Sequence, residues 1–348
     1  MSGDALRVLL QPFAEGLLPM PDAGRAVLLR AEPAPELDSA WRDALVCEQS
    51  FKPHHDGLAA AGFQVERRLD GTGRFDMALC LLTKHKAESL ANLARGWAML
   101  EPGGVLVCCG AKDSGAASVE KQLRLALGEL ESGLSKSHCR AFWARKADDA
   151  MPELLARWLA EGEMRLVPET GFVSRPGLFG WNKVDEGSRL LAEHMPARLS
   201  GVVADLGAGW GYLTTELLRR CPKAERIDLY EAEWLALEAA RENVGRLSPA
   251  IPVGFHWQDV TAPGIPRRSY DRVVTNPPFH GSGGAGKATE HDLGRAFILA
   301  AAEALRPGGT MLLVANRHLP YEAVIDQKFR GKVVLAEGNA FKVIEARL

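Results

Sequence analysis

The sequence predicts an α/β protein built of two tandem domains, each a mainly parallel β-sheet with helices on both faces. Three observations carry this expectation. Short apolar runs rich in Val, Leu and Ile alternate with longer stretches of helical periodicity, the pattern of βαβ units. One series of features occurs twice. Phe75-Asp76, an apolar strand, a helical stretch and Glu101-Pro102-Gly103-Gly104 return as Tyr270-Asp271, a strand, a helix and Arg306-Pro307-Gly308-Gly309. A repeat of such long period marks a duplicated domain. Finally, 348 residues with 47% hydrophobic and 25% charged side chains suit two ordinary globular domains.

In the first half, strands are expected at 26–29, 75–82 and 105–109, with a helix over 87–100. The segment 136–170 mixes charge with Trp143, Trp158 and Pro168 and reads as a linker holding one helix at 150–161. The domains are then 1–135 and 171–348. In the second half, strands are expected at 202–206, 226–230, 253–256, 272–275, 311–315, 333–336 and 342–346, with helices at 212–220 and 293–305.

Composition narrows the function classes. Six cysteines occur without a C-x-x-C pair, and Cys80, Cys108 and Cys109 sit inside apolar runs, so buried thiols are expected rather than disulfides or a metal site. No apolar run reaches the length of a membrane span, and no leader follows the polar Met1 to Asp4, so a cytoplasmic monomer is expected. A net charge of −2 gives no global attraction to nucleic acid, so any such contact must come from a local patch. The run Lys136 to Lys146, with Arg140 and Arg145 among aromatics, reads equally as a phosphate-binding patch or a charged connector.

Four motifs carry the chemistry. Asp205-Leu206-Gly207-Ala208-Gly209-Trp210-Gly211 joins a strand to a helix, as a nucleotide-cofactor cradle requires, with glycines where the backbone must turn sharply. An acidic residue closing the strand suits a cationic, phosphate-free ligand such as S-adenosylmethionine and would repel a pyrophosphate. Glu231 ends the next strand, where a carboxylate can accept both ribose hydroxyls. Asp259, followed by Val260, stands after the third strand and either reaches an adenine amine or forms a turn. Asn276-Pro277-Pro278-Phe279-His280 closes the fourth strand. Two prolines fix this corner, so that the Asn276 side-chain oxygen and the Pro277 carbonyl accept from one exocyclic amine while Phe279 stacks on the base. His280 and His318 are read as positioning groups, since a methylated amine can release its proton to solvent. The segment Gly281 to Lys287 follows this corner instead of a strand and reads as a substrate-gating loop, not a phosphate loop.

In this order, the motifs resemble the class I methyltransferases that modify amino groups. The Asn-Pro-Pro-Phe-His form, with Val314-Ala315-Asn316-Arg317-His318-Leu319-Pro320-Tyr321, resembles the bacterial guanine-N2 ribosomal RNA methyltransferases of the RsmC and RlmG types. The resemblance implies two methyltransferase-like (Rossmann-like) domains with seven-stranded sheets, the N-terminal copy degenerate and serving RNA binding or structure. The segment Phe179 to Ser188 resembles the lead-in that lines the cofactor pocket in that family, which adds Lys183 and Asp185 as cofactor-binding candidates. The ending Gly338 to Val343 resembles the small-subunit (16S) type and Arg317-His318 the large-subunit (23S) type; the former is favoured. A protein glutamine N5-methyltransferase and a non-catalytic RNA-binding assembly factor are the alternatives. The degenerate copy shows in what it lacks. Arg30-Ala31-Glu32-Pro33 replaces the glycine turn, and Leu82-Thr83-Lys84-His85 stands in place of Asn-Pro-Pro-Phe.

Overall fold

The protein is described from a computed structural model covering residues 2–278 and 290–348. The chain forms two compact units. The first runs to Glu163 and takes in Arg175–Gly177; the second takes Met164–Ser174 and the chain from Leu178 onward.

In the first unit the chain runs α1 (Ser2–Ala14), β1 (Ala26–Leu29), α2 (Ser39–Ala44), β2 (Leu45–Glu48), α3 (Lys52–Ala60), β3 (Gln64–Glu66), β4 (Phe75–Leu81), α4 (Lys86–Met99), β5 (Leu100–Ala111), α5 (Ala116–Leu127), β6 (Ser132–Lys136), β7 (Cys139–Arg145) and α6 (Glu153–Glu161). Its sheet order is β3-β2-β1-β4-β5-β7-β6, with β7 antiparallel to both neighbours. Side chains alternate across the pleat. Leu28, Leu79 and Val107 pack with α1, α2 and α3 on one face, while Leu29, Ala78 and Leu106 pack with α4, α5 and α6 on the other. The four central strands are buried on both faces, which is why they read as continuous apolar runs.

The second unit opens on a hairpin, β8 (Arg165–Val167) and β9 (Phe172–Ser174), then continues α7 (Glu186–Glu193), β10 (Ser200–Leu206), α8 (Tyr212–Arg220), β11 (Lys223–Glu231), α9 (Trp234–Gly245), β12 (Val253–Trp257), β13 (Tyr270–Thr275), α10 (Glu290–Ala304), β14 (Leu305–Asn316), α11 (Glu322–Lys328), β15 (Gly331–Glu337) and β16 (Phe341–Arg347). Its order, β12-β11-β10-β13-β14-β16-β15, repeats that of the first sheet strand for strand. The duplication extends to detail. A Cβ on Gly104 would meet the Glu101 and Asp76 carbonyls at 2.9 and 3.0 Å, and one on Gly309 would meet those of Arg306 and Asp271 at the same distances. Each Pro-Gly-Gly therefore forms an irregularity inside one long strand, β5 or β14, rather than a turn before it.

The expected linker is the main correction. Residues 132–145 form the hairpin β6–β7 that completes the first sheet, and Leu155 and Trp158 of α6 are buried in its core. The first unit therefore reaches Glu163 rather than residue 135. The hairpin escaped detection because Ser137 and His138, at φ 49° and 57°, hold the two left-handed positions usually taken by Asn-Gly. Three cations of the run have partners within the protein. Arg140 is bound to Glu120, Arg145 to Glu131 and the Gly103 carbonyl, and the buried Lys146 donates to the Leu100 carbonyl. All six cysteines are free and buried. Among the described residues, no helix is long and apolar enough to cross a membrane, and no His, Cys, Asp or Glu cluster is placed to hold a metal.

Candidate active site

In the second sheet the chain order reverses between β10 and β13, which lie side by side. In open α/β sheets this switch point, at the carboxyl ends of the strands, opens the crevice that takes the ligand. The motifs read from sequence converge there. One cleft is lined by Gly207, Ala208, Gly209 and Trp210 from the turn after β10, by Leu213 from the first turn of α8, by Asn276 from the end of β13, and by Phe179, Asp185 and Ser188 from the lead-in.

The three glycines do different work, although all sit at positive φ (73°, 55° and 86°). A Cβ on Gly209 would project into open space, so this residue leaves room for a ligand. A Cβ on Gly207 would strike Phe297 at 2.9 Å, and one on Gly211 would press on Ala240 at 3.0 Å. Gly211 thus serves the packing of α8 against α9 rather than ligand contact. Buried Asn243 secures the turn from behind, donating to the Trp210 and Val173 carbonyls.

Two carboxylates flank the turn. Glu231 accepts from the Gly209 N–H (2.8 Å) through one oxygen and from the Glu233 N–H (2.7 Å) through the other. Remaining lone pairs on these oxygens are free to accept ribose hydroxyls. Burial raises its pKa above the ordinary range. Asp205 is fully buried; its Oδ2 accepts from Thr214 Oγ1 at 2.7 Å, and its Oδ1 has no partner. Desolvation lifts its pKa to about 7, with Thr214 opposing and Glu231 adding to the rise. An orphaned buried carboxylate oxygen beside an open glycine turn fits a ligand carrying positive charge, and S-adenosylmethionine carries two such charges.

The linkage has a definite sign. Because the folded-state pKa of Asp205 exceeds the unfolded value, the folded protein keeps a proton that the unfolded chain releases, so its burial destabilises increasingly from about pH 4 to 7. A cationic ligand removes that proton. Cofactor affinity is therefore expected to rise about tenfold from pH 6 to pH 8 with proton release, and Asp205→Asn should abolish the release. Calorimetry in buffers of differing ionisation enthalpy measures it; proton-neutral, pH-independent binding would remove Asp205 from the cofactor site.

At the end of β13 the Asn276 amide is fixed from one side. Its Nδ2 donates to Asp185 Oδ2 (2.9 Å) and Ser188 Oγ (2.7 Å), leaving Oδ1 buried and unpartnered. Asp185 also caps α7 by accepting from the Ser188 N–H. Both amide protons are thus committed, and the acceptor oxygen is left for a donor from outside. Asp185, expected to hold cofactor, lines the cleft and also orients the residue expected to hold the base. Ser188 was missed: its Asp-x-x-Ser setting signals a helix start, but nothing in the pattern links it to a strand end far along the chain. Thr275, also buried, binds the Leu206 carbonyl at 2.8 Å and locks β13 to β10 just before the corner.

Other candidates fare differently. Lys183 is ion-paired with Glu186 at 3.0 Å, is 71% exposed and is not among the residues that line the cleft. Asp259 turns its Oδ1 onto Thr261, forming the turn that was its alternative reading, while the Gln258 N–H on the Glu231 carbonyl keeps this segment beside the cofactor strand. Val260 is buried. Pro277 is buried and Pro278 exposed; Phe279, His280 and the expected gating loop 281–287 lie outside the described residues. The His318 N–H donates to Asn316 Oδ1 in a local turn. Phe179 is 63% exposed on the cleft, an aromatic face that the sequence placed only in the lead-in.

The first unit shows the same crevice without its chemistry. Strand register sets Leu29 beside Glu48 as Leu206 lies beside Tyr230, so Leu28 stands where Asp205 does, Arg30 at Gly207 and Gln49 at Glu231. Arg30 retains the left-handed conformation (φ 62°), at a cost of about 1–2 kcal/mol for a side-chain-bearing residue. Gln49 still accepts from the Phe51 N–H (2.8 Å) but carries no charge. The residue at the place of Asn276 is Leu81, one position before the segment expected from sequence.

Residues 169–345 match the model of the methyltransferase small domain, and residues 29–161 that of its N-terminal domain. Ribosomal RNA small subunit methyltransferase C of Pseudomonas aeruginosa (strain LESB58) is 32% identical over 82% of this chain and 85% of that protein. The protein of the same name from Shewanella pealeana is 32% identical over 86% of each. Among solved structures, the T. thermophilus 16S rRNA N2 G1207 methyltransferase (RsmC), in complex with AdoMet and guanosine, superposes with a TM-score of 0.79 at 25% identity, covering 99% of this chain and 91% of that one. With its glycine turn, paired carboxylates and Asn-Pro-Pro corner confined to the second of two like-folded units, the chain belongs to the methyltransferase small domain family, together with ribosomal RNA small subunit methyltransferase C.

Proposed function

We propose that the enzyme transfers the methyl group of S-adenosylmethionine to the exocyclic N2 amine of a guanine in 16S ribosomal RNA. The carrying observation is the Asn276 amide, pinned through Nδ2 so that its buried Oδ1 is an unsatisfied acceptor beside the cofactor turn. Asp205, the Gly207–Gly209 turn, Glu231 and the segment at Asp259 hold the cofactor, which supplies an electrophilic methyl group on a sulfonium. Asn276 Oδ1 and the Pro277 carbonyl accept the two N–H bonds of the guanine amine. A planar amine has its lone pair delocalised into the ring, so catalysis here is mainly positioning, aligning the nitrogen with the methyl carbon in an enclosed site. The nitrogen–carbon bond forms as the carbon–sulfur bond breaks, and the amine proton leaves to water. Support for 16S RNA as substrate comes from the small-subunit relatives and from the solved relative that holds AdoMet with guanosine. The reading extends to a monomer acting on ribosomal RNA in the cytoplasm.

The test is label transfer from methyl-labelled S-adenosylmethionine. Unmodified 16S RNA, or small subunits assembled with it, is expected to accept label, whereas the same RNA with inosine for guanosine, which lacks only the N2 amine, is not. Label entering inosine-substituted RNA equally would place the reaction on another atom.

A further inference from the structure

Net charge is −2, and Arg140, Arg145 and Lys146 of the first unit's basic run have partners within the protein, which directs attention to cations that have none. The second unit holds one candidate. A cavity of about 470 Å³ opens between the turn into β13 and the α11–β15 connection, with Leu299, Leu305 and Pro307 in its lining. Four exposed cations stand around it: Arg267, Arg268, Lys328 and Arg330. Only Arg267 faces a carboxylate, Glu303 at 3.6 Å; among the described residues none pairs with Arg268, Lys328 or Arg330. Of the lining side chains four are cationic and one, Glu303, is acidic. The backbone beneath is ordered. The Arg268 N–H donates to the Glu303 carbonyl and the Arg330 N–H to that of Arg347, both within 2.9 Å, while Arg268 itself sits in the left-handed region at φ 49°.

We propose that this cleft binds the phosphodiester backbone of the RNA substrate at a point away from the methylated base; this rests on the reading of RNA as substrate. The guanidinium forks of the three arginines match phosphate oxygens in pairs, and Lys328 adds a point charge. A lining that mixes cations with Leu299, Leu305 and Pro307 suits a nucleotide, whose phosphate is charged and whose sugar carries apolar C–H surface. Strand β13 measures the separation, because Arg268 stands two residues before its first residue and Asn276 directly after its last. At about 3.3 Å per residue the cleft lies roughly 26 Å from the corner, at the opposite edge of the sheet, so a large folded RNA that passes around the second unit is needed to reach both. Contact there fixes where RNA lies on the enzyme without reading its sequence.

The experiment compares the full chain with Arg268→Ala/Arg330→Ala. The probes are a fluorescein-labelled mixed-sequence 20-mer RNA and unmodified 16S RNA, titrated at several potassium chloride concentrations. The double variant is expected to bind both RNAs about 10- to 100-fold more weakly at low salt, with a salt slope flatter by about two units, while cofactor affinity and melting temperature stay as in the parent. Unchanged RNA affinity and slope overturn the cleft assignment. Should the parent fail to methylate 16S RNA while the variant still loses RNA affinity, the guanine reading falls and the cleft stands. Absence of RNA binding by the parent overturns both.

Discussion

Asn276→Ala is expected to reduce methyl transfer by roughly 100- to 1,000-fold while leaving cofactor affinity within a few-fold. The side chain removed is the acceptor that aims the amine, and its loss leaves only the Pro277 carbonyl to hold a nitrogen that must meet the methyl carbon in line. The cofactor turn is held by other bonds, those of Glu231 to Gly209 and of Asn243 to Trp210, so it persists. Ser188→Ala gives the milder form of the same defect. It removes one of two anchors of the Asn276 amide and leaves the Asp185 bond, so the turnover rate should fall about tenfold with no change in cofactor binding. Single-turnover rates with calorimetric cofactor affinities measure both. Equal losses of rate and cofactor affinity would show that Asn276 serves the cofactor instead.

Glu231→Gln is expected to weaken cofactor binding about 10- to 100-fold with little loss of fold stability. The first unit already carries this exchange: Gln49 occupies the equivalent strand end and still caps Phe51. What the amide loses is negative charge and one acceptor, the features that a ribose diol and a cationic ligand use. The Gly209 N–H also loses a charge-assisted bond, which loosens the turn. By the same reasoning, full-length protein should bind one cofactor per chain, because Leu28, Arg30 and Gln49 deny the first unit a site. Titration calorimetry reports affinity and stoichiometry together, and two sites per chain would contradict this reading of the first crevice.

Much of the architecture was legible because parallel strands buried on both faces must be apolar and their helices must alternate with them. All seven strands of the second sheet and the duplication were readable from β14 and β5, whose Pro-Gly-Gly irregularities recur. The hairpin β6–β7 was not, because Ser137-His138 gives no turn signal and its charges imitate a linker. In the site, Asp205, Gly209, Glu231 and Asn276 were legible since each needs a specific side chain, or none, at a strand end. Asp185 was placed at the site without its bond to Asn276, and Ser188 was not seen. Their role depends on α7 meeting the end of β13, a tertiary contact with no local pattern. Gly211 looked like a ligand glycine yet is fixed by the approach of Ala240.

Mass spectrometry of nuclease-digested 16S RNA, from cells with this protein and from cells without it, tests the central claim most directly. One N2-methylguanosine is expected to disappear when the protein is absent, and to return with the parent chain but not with Asn276→Ala. An unchanged N2-methylguanosine content in 16S RNA lacking the enzyme, with the loss of a methyl group from 23S RNA or from a protein glutamine instead, would contradict it.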